Sequence, residues 1–421
     1  MAIVRTRALL GAVLFGFASL HAQSLTGAQV VSRKLAGTPI PNDISVNGRV
    51  DNAIPPLLER LKLEIRNWLS AVIDPLPLRV DCAQLQKSLT ADFRQAGLLW
   101  NEKDGEVNPF AKLLGIGVSP IAGEPNLLQV IVRYDSFCPP DDSVLFFERR
   151  RDGRWHLLLN FDNTDFIAPW GERELLYAGV SPRDETGQFY FFVARTRSYC
   201  PGSGSRFNGV NYHVLRPAAD PESPRVLLAE EHEYLENEDC RILLRPRSLT
   251  MDFPDWSAIT ASDRTEILTY EVGADIARRI EPISVNVEGF VEEWMASPWS
   301  SAREWTAPES RSTLRAWHEQ LDTEKSVRSS KLGDEAFRQF CSTDRKLVQI
   351  TYPAEYPTDG PKPGDLFFLV RESGPHRYRL VRISKESAPS CSKPRPDESY
   401  GEHLLPESMN RRADKLVPDL P

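Results

Sequence analysis

The spacing of apolar residues changes along this chain, and the changes mark its elements. Leu57, Leu58, Leu61, Ile65, Trp68, Leu69 and Val72 recur at three- and four-residue steps, which places them on one face of a helix. Pro55-Pro56 opens it and Asp74-Pro75 ends it, because the residue before proline is pushed out of helical geometry. A second helix begins with Asp81 as N-cap and Gln84 three residues on. Cys82, Leu85, Leu89, Phe93 and Ala96 share a face, and Gly97 stands where a helix-ending glycine belongs. From there the period becomes that of strands. Leu127 to Tyr134, Val144 to Arg149 and Arg154 to Phe161 are aliphatic and aromatic, with Asp152-Gly153 marking a hairpin.

Further strands are predicted at 189–195, 210–215, 225–228, 249–253 and 265–272. Helices return at 287–295 and 309–321, with another helical turn or two over 334–341. Strands resume at 347–352, 365–371 and 378–384. Three hairpins echo one another: an aromatic strand, a glycine turn, then a strand opening on Trp or Tyr. The first is Leu145-Phe146-Phe147 with Gly153 and Trp155. The second is Phe191-Phe192 with Gly209 and Tyr212, and the third is Leu366-Phe367-Phe368 with Gly374 and Tyr378. The first and third are also preceded by a Gln-bearing strand (Gln129, Gln349). The expected fold is therefore α+β, predominantly antiparallel β, with helix-then-meander units at 55–165 and 286–385 flanking a β-rich middle at 166–285. An internal duplication would explain the echo; a β-propeller is the alternative, and it needs at least four blades. Residues 23–54 read as a linker and 386–421 as a disordered tail.

The first 22 residues change the picture. Arg5 and Arg7 precede an apolar run from Ala8 to Leu20, and small Ala22 precedes Gln23-Ser24. That order is the signature of a cleavable secretory signal, and the run is too short to span a bilayer, which takes about 20 apolar residues. The expectation is a secreted or periplasmic protein with no membrane span in the mature chain. A net charge of −8 argues against a nucleic-acid partner, since no cationic excess offsets phosphate repulsion.

In an oxidising compartment Cys82, Cys138, Cys200, Cys240, Cys341 and Cys391 form an even set of half-cystines. Six cysteines allow 15 pairings; sequential pairing is the simplest, each loop contributing roughly 4 kcal/mol. No pair has zinc-knuckle spacing, so no metal is implied. No cofactor is implied either.

Candidate chemistry is sparse. His232-Glu233 followed by Glu236 lacks the second histidine of a zinc-protease helix and reads as a solvated acidic loop. Ser203 lacks the strand-turn-helix elbow of a hydrolase nucleophile. Asp135, Asp141, Asp142, Asp162 and Asp165 stand at strand ends, where carboxylates can act as acid and base or simply bond turn amides. Trp294, Trp299, Trp305 and Trp317 crowd one helical stretch; the first three are candidates for a ligand platform, although helical tryptophans more often form core. The expected role is a non-catalytic binding or structural one in the cell envelope or secreted space, with a protein or glycan as possible ligand. The alternative is a secreted hydrolase acting on glycan or peptide through its loop carboxylates.

Overall fold

The computed structural model describes residues 25–39, 53–101, 108–135, 141–162, 173–197, 207–235, 240–256, 263–323, 337–341, 344–352, 366–394 and 404–406. The expected signal segment, Cys138, Cys200, Asp165, Ser203 and Glu236 lie outside the described residues. The chain divides into two compact units, Met1–His232 with Arg412–Pro421, and Glu233–Arg411. The β-rich middle expected at 166–285 is thus shared between two units.

In the first unit, helices α1 (Thr26–Ala36), α2 (Ile54–Ile73) and α3 (Cys82–Gln95) precede two four-stranded antiparallel meanders. One runs β1 (Leu113–Ile121), β2 (Glu124–Tyr134), β3 (Asp141–Arg149) and β4 (Trp155–Asp162). The other runs β5 (Arg173–Val180), β6 (Phe191–Arg197), β7 (Phe207–Arg216) and β8 (Arg225–Leu235). The helix stripe Leu61, Ile65, Trp68 and Leu69 packs with Val130, Val132, Leu145, Phe147 and Trp155 on one face of the first sheet. Its other face buries Ile131, Val144 and Phe146 against Phe191 and Val193. Both faces are buried, which is why Leu127 to Tyr134 is mostly apolar, broken only by the buried Gln129 and Arg133, rather than strictly alternating. Asp81 accepts the Gln84 amide at 3.0 Å as the N-cap of α3, and Gly97, at φ 70°, supplies the left-handed residue just past its end.

The second unit begins with the meander β9 (Arg241–Arg245), β10 (Ser248–Trp256), β11 (Asp263–Val272) and β12 (Ala277–Ile280). Helices α4 (Val287–Ala296), α5 (Trp299–Ala302) and α6 (Arg311–Thr323) follow. A five-stranded sheet closes the unit: β13 (Phe337–Cys341), β14 (Leu347–Tyr352), β15 (Leu366–Gly374), β16 (Arg377–Ser384) and β17 (Cys391–Pro394). Its order is β16-β15-β14-β13-β17. Phe290, Val291 and Trp294 of α4 pack with Val348, Ile350, Phe368, Val370 and Leu380. Gly289 lets α4 approach Ser284, whose Oγ would lie 2.6 Å from any added Cβ.

The fold is mostly antiparallel β with a few helices, and no closed barrel or propeller is found among the described residues. The sheets β1–β4 and β13–β16 repeat one meander order, each with helices on the face that buries Trp155 or Tyr378. Their registers differ. Gln129 lies opposite Phe146, whereas Gln349 lies opposite Leu369, two positions further along the aromatic motif.

Several expectations need correction. Part of the expected linker is α1, which buries Ala28, Val31 and Leu35. Residues 337–341, expected as helix, form β13 because they pair with β14 and β17. The expected disordered tail contributes β17, tied by a Cys341–Cys391 disulfide across register partners. That bridge is one of the sequential pairs. Cys82 carries a free thiol directed at the Val80 carbonyl, 3.8 Å away; Cys138, its partner in sequential pairing, lies outside the described residues. Burial raises the pKa of this thiol, helped by the charge of Asp81. Cys240 is buried. No helix of the described residues is long and apolar enough to cross a membrane.

Candidate functional sites

Antiparallel pairing sets Tyr134 opposite Asp141 and Arg133 opposite Asp142. The strand-end aspartates therefore meet cations in the interior of the first unit. Lys62, on α2, reaches Asp141 with Nζ 2.5 Å from Oδ2, the two side chains being 3% and 2% exposed. The ammonium also sits 5.4 Å from the Tyr134 ring centre. One helical turn on, Arg66 contacts Asp162 at 3.6 Å and Glu222 at 2.5 Å. On the sheet's other face, Arg133 donates to Asp142 at 3.3 Å, and the Leu175 amide donates to the second oxygen of that carboxylate. Arg195 donates to the Asp142 carbonyl at 3.0 Å. Asp142 has no exposed surface.

Burial raises the Asp141 carboxyl above its ordinary value, against the opposing pull of Lys62. Burial likewise holds the Tyr134 hydroxyl well above its usual range, with the negative Asp162 adding to the effect. A general acid or base must reach the proton it moves. Asp141 and Asp142 are sealed from solvent and each faces a cation. Asp162 retains 22% exposure, shared between Arg66 and the Asn160 amide. This arrangement locks α2 onto the sheet ends; it does not present a catalytic pair.

The tryptophans divide. Trp294 is fully buried, its Nε1 donating to Thr306 Oγ1 at 2.9 Å and to the Ala302 carbonyl at 3.1 Å. His318 packs edge-on against Trp294 and at a tilt against Trp299, and its Nε2 donates to the Ser297 carbonyl at 2.9 Å. Trp305 is buried; Trp299 and Trp317 are half-buried against the same core. Trp294 therefore offers no face to a ligand.

Trp305 does border a cleft. The cleft, of about 280 Å³, lies in the second unit between the edge strands β12 and β16 and the short helix α5. Its wall includes Arg278, Arg279, Arg379, Ser300, Ser301 and Trp305, with Glu281 and Glu304 between them. Arg279 is held from beneath by Glu293 at 2.5 Å and by the Ile267 carbonyl at 3.1 Å, and its guanidinium lies 5.4 Å from the Trp305 ring. Arg379 pairs with Glu281. Arg278 is exposed; Glu271 is its register partner on β11, but no ion pair to Arg278 is formed among the described residues. Nothing in the local sequence marks these arginines, because β12 and β16 are about a hundred residues apart and are joined only by the fold.

No protein-family model and no curated protein matches the chain. Among solved structures, an α-L-arabinofuranosidase from Podospora anserina, determined in complex with cellotriose, is similar over 67% of this chain and 70% of that one. The identity is 11% and the TM-score 0.20, so the likeness carries no argument.

Proposed function

We propose that this chain is an exported, non-catalytic binding protein of the cell envelope or secreted space. Export is supported by the charged, apolar and small-residue order of residues 1–22, and the Cys341–Cys391 disulfide fits an oxidising compartment. The observation that carries the non-catalytic reading is the state of the strand-end aspartates. Asp141 and Asp142, the most acidic strand start of the first unit, are consumed in interior ion pairs with Lys62 and Arg133. The hydrolase alternative draws no support from these residues.

Two measurements test the proposal. N-terminal sequencing of exported protein should begin at Gln23. A glycan and peptide array, followed by thermal shift on each hit, should find a ligand that raises the melting temperature without being turned over. Hydrolysis of a hit that disappears in Asp162→Asn would overturn the non-catalytic reading, since Asp162 is the partly exposed carboxylate of the cluster.

A further inference from the structure

We infer that the cleft between β12 and β16 is a binding site for a small hydroxylated oxyanion, of the size and chemistry of a uronic acid. This deepens the proposed binding role and rests on it. The cleft combines three guanidinium groups with two carboxylates and two serine hydroxyls. Each feature selects part of the ligand. Guanidinium groups carry donors in a fixed fork that matches a carboxylate or phosphate. Arg278 is exposed at the wall; Glu271 stands across from it in the β11–β12 pairing, yet among the described residues Arg278 is in no ion pair, in a chain that carries eight more negative than positive charges. In such a chain an arginine held in no ion pair, at the wall of a concave site, is placed to meet an anion from solution.

Glu281 and Glu304 select against a bare inorganic anion, which they repel. They accept hydrogen bonds from hydroxyl groups, as Ser300 and Ser301 can both donate and accept. A molecule with an oxyanion at one end and hydroxyls around the rest satisfies both sets. Arg279, locked by Glu293, Ile267 and the Trp305 face, keeps that wall rigid before ligand arrives, which lowers the ordering cost of binding. The volume of about 280 Å³ lies just below the range of ligand pockets, roughly 300–1,000 Å³, and so suits a single sugar-sized unit better than an extended chain.

The test uses the full mature chain and isothermal titration with four probes: glucuronate, galacturonate, glucose 6-phosphate and glucose. Uronate binding should weaken as salt rises. It should fall about tenfold or more in Arg278→Gln, the loss of one charged hydrogen bond. The fall in Arg379→Gln should be larger, because Glu281 is then left without its partner. Arg60→Gln, an exposed helix position of the other unit, should change nothing. If Arg379→Gln fails to fold, Arg278→Gln decides alone, since it breaks no ion pair. Binding of the sugar phosphate without the uronates would uphold the oxyanion site and assign phosphate as its source. Three results would overturn it: no oxyanion bound at about 10 mM, glucose bound as tightly as the uronates, or affinity unchanged in Arg278→Gln. A separate array ligand that binds without turnover would then leave the broader binding role standing; turnover would remove that role as well.

Discussion

Replacing Lys62 by Met tests whether the strand-end aspartates are structural. At 2.5 Å and an effective dielectric constant of about 20, the Lys62–Asp141 attraction is roughly 7 kcal/mol. Desolvation of two ions, several kcal/mol each, cancels most of it. The pair as a whole therefore contributes little, but breaking it does not. Lys62→Met leaves a carboxylate that is 2% exposed without its cation, at a cost of about 3–5 kcal/mol. The double variant Lys62→Met with Asp141→Leu removes both charges and should recover at least half of that loss. For a unit of this size each kcal/mol moves the melting point by about 2–4 °C, so the single variant should melt roughly 6–20 °C lower. Differential scanning calorimetry reads the shift, and hydrogen-exchange mass spectrometry identifies the transition that contains β2 and β3. The same site gives pH dependence a sign. Because burial raises the Asp141 carboxyl, the folded protein keeps a proton that the unfolded chain loses near pH 3.9. The stability from this group is fully present below that pH and is lost as pH rises through the folded value. Asp141→Asn lacks the effect, so its deficit against wild type should narrow from acid to neutral pH. A cost below about 1 kcal/mol for Lys62→Met, or no recovery in the double variant, would refute the sealed-pair reasoning.

Removing the Cys341–Cys391 bridge, which closes a 50-residue separation, should cost about 4 kcal/mol if it acts by restricting the unfolded chain. Calorimetry of the Cys341→Ser, Cys391→Ser variant checks this, and a loss under 1 kcal/mol or so would show that β17 holds without it. Trp294→Ala, deleting a fully buried ring and its two hydrogen bonds, should cost about 3–5 kcal/mol. Trp317→Ala, at a half-buried position, should cost less than half as much; urea unfolding that ranks them in the opposite order would reject the core assignment.

Elements were legible where one local signal sufficed. The α2 stripe and the Asp81 cap are read within one or two turns, and the structure uses both as written. Strand β1 is different. Gly115, Gly117 and Pro120 lower its strand character, and it exists because β2 supplies a full ladder of partners from Val130 to Tyr134. Pro120 is tolerated at the register shift near the strand's end, on a sheet edge. Helix α1 spaces Ala28, Val31 and Leu35 at helical steps, but no side chain caps its start, and tertiary burial rather than local propensity stabilises it.

The sites were legible in proportion to how local they are. Lys62 and Arg66 sit four residues apart among Leu58, Leu61, Ile65 and Leu69, two cations on the buried stripe of an amphipathic helix. A buried cation requires an acid, and Asp141-Asp142, one residue before the apolar run Val144 to Phe147, was the pair that could supply one. Reading charge as well as apolarity around the helix would have joined them. The cleft has no such signature. Arg278 and Arg379 come from different sheets, and neither lies in a motif. What brings them together is that β12 and β16 are both edge strands, whose outward N–H and C=O groups must find water, a partner strand or a ligand. Charged residues at an edge read as ordinary protection against strand pairing when seen one at a time. Only where two edges and a tryptophan-floored turn enclose the same space do they become a site.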